Sequence, residues 1–83
     1  MVLSEDDMID LLTDIHKSEA IIEMSPQNYR GDSIKAVVRQ SVFAKHNVTQ
    51  EEFDSSIVWY GHNVGTYIKI YDGVIARLDD EEL

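Results

Sequence analysis

The stretch NVTQEEFDSSIVWYGHNVGTYIKIYDGVIARL, from Asn47 to Leu78, decides the fold. Phe53, Ile57, Tyr60, Val64, Tyr67, Tyr71, Val74, Ile75 and Leu78 recur in steps of three and four, the spacing of side chains along one helical face. Thr49 and Glu52 form a capping box ahead of this stripe, and Val48 and Phe53 are placed as a hydrophobic staple, so a helix is predicted over about 50–62. Gly61, Asn63 and Gly65 then weaken helical propensity, and Thr66 is suited to cap a further helix over about 66–79. Because the stripe keeps its phase through Val64, a kink or a very short break is expected there rather than a reversal, and the two segments could be one kinked helix.

Upstream, Ser4 and Asp7 form a carboxylate variant of the capping box, and Met8, Leu11, Leu12, Ile15 and Ile22 fall on one stripe. The predicted helix over 5–24 ends at Ser25-Pro26, because a residue before proline is pushed out of the α region. Ser25 to Gly31 reads as an interhelical loop. Asp32 or Ser33 would cap the next helix, over about 33–46. Ile34, Val37, Val38 and Val42 form one stripe of it, with Ala36 and Phe43 on another side, which predicts a helix buried against two neighbours. Lys45 and His46 complement its C-terminal dipole, and Asn47 suits the left-handed residue beyond. The expected fold is a single all-α domain, a small bundle of three to four helices.

Composition bounds the function. A chain of 83 residues is one domain, and it buries only about 60% of its unfolded surface, so its stability is expected to be marginal. The formal net charge of −9 repels phosphate backbones and anionic membrane surfaces, so nucleic acid is not an expected partner. Without cysteine there is no disulfide or thiol chemistry, and no segment has the length and apolarity of a membrane span or a signal peptide. Glu5, Asp6 and Asp7 favour a helix start, whereas Asp79, Asp80, Glu81 and Glu82 oppose the dipole at a helix end, which is expected to fray from Asp79 onward.

Three segments, LSEDDMIDLLTDIHKSEA (Leu3–Ala20), VFAKHNVTQEEFDSSIVWY (Val42–Tyr60) and KIYDGVIARL (Lys69–Leu78), together resemble an uncharacterised small helical domain family of Bacteroidetes lipoproteins, Bacteroides among them. The resemblance carries no catalytic residue. It implies an envelope location: a precursor with a signal peptide and a lipobox cysteine, whose full-length form is anchored to the membrane by lipid, in the periplasm or at the outer membrane. This sequence shows neither feature, and it has Asn63-Val64-Gly65 where many relatives would have a proline.

Two groups of residues stand out as candidate sites. Glu19 falls on the helical wheel among Met8, Leu12, Ile15 and Ile22, which predicts a buried carboxylate hydrogen-bonded to Tyr60, Tyr67, Tyr71 or Arg39, or else a perturbed acid serving a pocket. His16 lies one turn before Glu19; an H-x-x-E pair can ligate metal in helical bundles, but the second such pair is missing, and His46 and His62 are isolated. No metal or other cofactor is expected. Ser55 and Ser56 lack a nucleophile elbow and a visible base, and small Ser56 reads as a point of helix approach. Trp59, with Val58, His62 and Ile70, lies off the main stripe: either a neighbouring helix covers this second face, the favoured reading, or it is an exposed contact surface. Two classes of function follow. One is a non-enzymatic interaction or accessory module, monomeric or weakly dimeric, with an unidentified protein partner; the other is a small ligand-binding or enzymatic domain using a pocket near Glu19 and His16.

Overall fold

The chain begins its first helix where the Ser4 hydroxyl accepts the Asp7 amide at 3.1 Å, and α1 then runs over Glu5–Met24. A computed structural model describes residues 2–29 and 31–81. Asp7 does not return the capping bond as Glu52 does in α3; its side chain is one methylene shorter. Extended backbone at Ser25, as the following proline requires, closes α1, and a 3-10 turn over Gln27–Tyr29 leads towards α2, Asp32–Lys45. Arg30, within the expected loop, lies outside the described residues.

Gly31, not Asp32 or Ser33, occupies the position before α2, and no side chain caps it. Asp32 instead sits in the first turn, where its charge meets the helix dipole directly. Asn47 adopts the left-handed conformation at φ 56° and turns the chain out of α2. The reciprocal Thr49–Glu52 box, with both bonds at 3.1 Å, opens α3, Gln50–Gly61.

His62 and Asn63 form the break before α4, Val64–Glu81, so α4 starts two residues ahead of the expected Thr66 cap. Asn63 takes the position before the helix: its carbonyl accepts the Tyr67 amide at 3.0 Å, while its side chain donates to the Trp59 carbonyl at 2.7 Å. At the far end the helix continues through Asp79 and Asp80 to Glu81 instead of fraying at Asp79; half-buried Leu78 and the Arg77–Asp10 ion pair hold its last turns against the core. Glu82 lies outside the described residues.

The break shifts the inner side of α4 without undoing the stripe: Tyr67, Tyr71, Val74 and Leu78 pack on the core as expected. Val64 and Ile75, expected on the core stripe, are exposed, whereas Ile70, expected beside Trp59, is buried with Val74. α1 is the central element, packed on α4 and α2. Asp10 meets Arg77 while His16 meets Tyr71, so α1 and α4 run in opposite directions. At Gly73 the α4 backbone receives the Ile9 side chain of α1, and a Cβ there would come within 2.6 Å of Ile9 Cδ1. The core joins Met8, Leu11, Leu12 and Ile15 of α1 to Val42 and Phe43, Tyr60, Ile70 and Val74, with Leu3 from the preceding segment.

α2 departs most from expectation. Val42 and Phe43 are its buried residues, and Ala36 and Val37 face solvent. Only its C-terminal turn has two neighbours, α1 and, through the Phe43–Phe53 ring contact, α3. Its N-terminal half and middle pair with α1 through Lys35–Glu23 and Arg39–Glu19. The radius of gyration of 13.4 Å, against about 12 Å for a compact chain of this length, reflects that projecting hairpin.

Candidate functional site

Glu19 shows how far a helical wheel reaches. Its direction on α1 is as expected, but no third helix covers α1 at that height, and the carboxylate is exposed instead of buried. Of the four partners named from sequence it takes Arg39, at 3.2 Å. The pair is one rung of a ladder between antiparallel α1 and α2: Asp14 bonds Lys45 at 3.2 Å and His46 at 2.6 Å, and Glu23 lies 3.8 Å from Lys35. The sequence carried the signal for this ladder, acids at 14, 19 and 23 facing bases at 35, 39, 45 and 46, but it becomes readable only once the hairpin register is known. At Asp14, burial works to raise the carboxyl pKa, but the hydrogen bonds and positive charges of His46 and Lys45 outweigh it and hold the group below the usual carboxylate range.

His16 does not join Glu19 in a pocket. Its ring sits edge-on to Tyr71 with centroids 6.2 Å apart, turned to α4, while Glu19 turns to α2. Tyr71 packs on Tyr67 at 4.8 Å; the hydrogen bond with Tyr67, then burial and the neighbouring charges of Tyr67 and Glu19, push its hydroxyl up to about 12. A groove of about 510 Å³ does open between α1 and α2, with Ile15, Ile22, Val38 and Val42 as its apolar floor and the Glu19–Arg39 and Glu23–Lys35 pairs at its rim. Among the described residues, no three His, Asp or Glu side chains gather closely enough to hold a metal ion.

Ser56 is more than a gap for helix approach. It is fully buried, accepts the Leu3 amide at 2.8 Å and donates to the Glu52 carbonyl at 2.7 Å. Tyr60 donates to the Leu3 carbonyl at 2.7 Å, so α3 grips both backbone groups of Leu3. Burial, and then the charge of Glu5, raise the Tyr60 pKa. The grip was not foreseen, since a serine and a tyrosine one turn apart carry no sequence mark of a distant backbone partner.

The second candidate group divides. Ile70 belongs to the core, because the break places it on the inner side of α4. Trp59 remains 46% exposed, against the expectation of intramolecular cover, and Val58 is 62% exposed with His62 also outside. The Trp59 ring stands edge-on to buried Tyr60, centroids 4.9 Å apart, so it is held in place on one side and open on the other. Further along, Val64, Ile68 and Ile75 form an exposed apolar line on α4.

The matched family model spans residues 1–83, and the chain belongs to that family, DUF4296, a domain of unknown function. No curated protein and no solved structure matches the chain. No described helix is long and apolar enough to cross a membrane.

Proposed function

We propose that this domain is a non-enzymatic interaction or accessory module of a Bacteroidetes-type envelope lipoprotein. The observation that carries the reading is the contrast between its polar and apolar groups. The acids of α1 at positions 10, 14, 19 and 23 are engaged in ion pairs, and no buried side-chain polar atom among the described residues lacks a partner, whereas Val58, Trp59, Val64, Ile68 and Ile75 stand open to solvent. A chain that satisfies its polar groups while leaving large apolar side chains uncovered has the surface of a binding module, not of a reaction centre. The lipoprotein context rests on the sequence resemblance, which implies that the full-length form is lipid-anchored. Crosslinking of the full-length protein in its native envelope tests this reading, with a defined protein partner as the expected result. Recovery of the uncrosslinked protein alone, under conditions that crosslink known envelope complexes, would overturn it.

The groove between α1 and α2 supports a second reading, a binding site for a small apolar molecule lying across Ile22 and Val38 beside the Glu19–Arg39 pair. Its size is within the range of ligand clefts, though its floor residues Ile15, Ile22 and Val42 are already buried by their neighbours and gain little from an occupant. Protection of Ile22 against solvent exchange by an apolar dye would favour it over the module.

A further inference from the structure

The outward face of α3 carries apolar anchors and negative charge together. Ser56 and Tyr60 define the inner side of this helix; at 100° per residue, Trp59 lies at the edge of that side, and Ser55, Glu51, Val58 and Asp54 follow in turn around the outer side. Trp59 and Val58 supply the exposed apolar area there. Trp59 is pre-positioned by the edge-on Tyr60 ring, so it loses less freedom when covered than an unsupported side chain would.

Among the described residues, the ion pairs of α1 with α2, His46 and α4 do not balance the charge on this face. α3 contains Glu51, Glu52 and Asp54 and no basic residue. Lys35, Arg39, Lys45 and Arg77 are drawn to acids of α1, and among the described residues none pairs with Glu51 or Asp54. The grip on Leu3 sets the start of α1 beside α3, and the charge of Glu5 is felt at Tyr60, directly behind Trp59. A second copy would meet this face with another chain of net charge −9.

We propose that the Trp59–Val58 face of α3, bordered by Glu51 and Asp54, docks a cationic amphipathic segment of another protein, one carrying Lys or Arg beside aliphatic side chains. This rests on the interaction-module reading and names the partner's chemistry. Trp59 is the apolar anchor, and the carboxylates steer the partner and fix its register.

A fluorescently labelled helical peptide of leucine and lysine, titrated into the full chain at low salt, is the probe, with its leucine–glutamate counterpart as the comparison. Binding of the lysine peptide and none of the glutamate peptide is expected. Replacing Trp59→Ala should weaken binding about thirtyfold, as for an anchor residue, and Glu51→Gln with Asp54→Asn about tenfold. Val58→Ser, at a side chain too exposed to affect folding, should weaken it as well, and serves where Trp59→Ala disturbs Tyr60. Asp72→Asn with Asp79→Asn, on α4, is the control for charge alone. Equal weakening by the α3 and α4 charge variants, equal binding of both peptides, or no binding at all would each overturn the proposal. The two readings fail separately: a native partner crosslinked equally well by wild type and Val58→Ser would remove this surface and leave the module standing.

Discussion

Around Leu11, α1 lies within a core drawn from all four helices; at Ile22 and Glu23, on the same helix, it has α2 alone beside it. The first region is held by apolar contact and by two buried bonds to Leu3, the second by a ladder of exposed ion pairs over a groove. The amphipathic patterns of the two regions look alike in sequence. Their energetics differ because a stripe stabilises a helix only where a neighbour covers it. The comparison breaks most directly through cavity formation. Leu11→Ala removes a fully buried side chain and is expected to cost about 2–5 kcal/mol, a large share of the stability of a chain this small. Ile21→Ser and Val37→Ser, both at exposed positions, should stay within about 0.5 kcal/mol of wild type in urea melts. Ile22→Ala belongs between them, since the adjoining groove lets the site relax; a cost equal to that of Leu11→Ala would make the hairpin as much a part of the core as the rest.

The grip of α3 on Leu3 gives the next effect. Ser56→Ala leaves the buried Leu3 amide without an acceptor and is expected to cost about 1–3 kcal/mol, with Tyr60→Phe nearer 1 kcal/mol because a carbonyl tolerates the loss better. Faster amide exchange at Leu3 in Ser56→Ala, with Leu11 still protected, would sharpen the picture of a locally clamped segment. Uniform acceleration across the core would instead make the clamp a condition of the whole fold.

What could be read in advance follows the same division. The starts of α1 and α3 and the end of α1 were legible because Ser4, Thr49, Glu52 and Pro26 act through bonds or sterics confined to their own turn. The left-handed turn at Asn47 was legible for the same reason. Glu19, α2 and, beyond His62, Val64, Ile70 and Ile75 depart from the pattern, each through a quantity that local pattern does not contain, whereas Tyr67, Tyr71, Val74 and Leu78 keep to it. Glu19 needed the height at which neighbours stop, α2 the number of its neighbours, and Ile70 the small shift of the inner side of α4 across the His62–Asn63 break. Trp59 was placed correctly off the core stripe, but whether anything covered it depended on that same shift. Val64, Ile68 and Ile75 are left as an exposed line because Ile70, alongside the expected Val74, faces inward.

Alkaline titration tests the α1–α4 side of the core. Tyr71 ionises near 10 when unfolded and near 12 when folded, so the neutral form is the one that the fold favours. Its contribution is fully present below pH 10 and is lost as the pH rises to about 12. Tyrosinate absorbance should therefore show a late-ionising component that is absent from Tyr71→Phe, and that variant should lose less of its remaining stability over the same interval. A wild-type titration completed near pH 10 in the folded protein would show that Tyr67 and burial do not restrain this hydroxyl.

The smallest effects belong to the ladder. Glu19→Gln or Arg39→Gln breaks a pair whose side chains are about half exposed, so water already screens it and the cost should be about 0.2–1 kcal/mol. A double-mutant cycle across Glu19 and Arg39 measures the coupling apart from the packing of the Arg39 stem. Asp14→Asn should cost more, since Asp14 is less exposed and holds both Lys45 and His46. Its carboxyl is depressed in the folded state, so its contribution is present above the ordinary Asp value of 3.8 and is lost as the pH falls through the lower, folded value. Acid should thus loosen the α1–α2 hairpin while Leu11 stays protected, and amide exchange along α2 at falling pH reads this directly. Exchange that rises at the same pH in α2 and around Leu11 would mean that the hairpin does not open on its own, and that the two regions form one cooperative unit despite the different forces holding them.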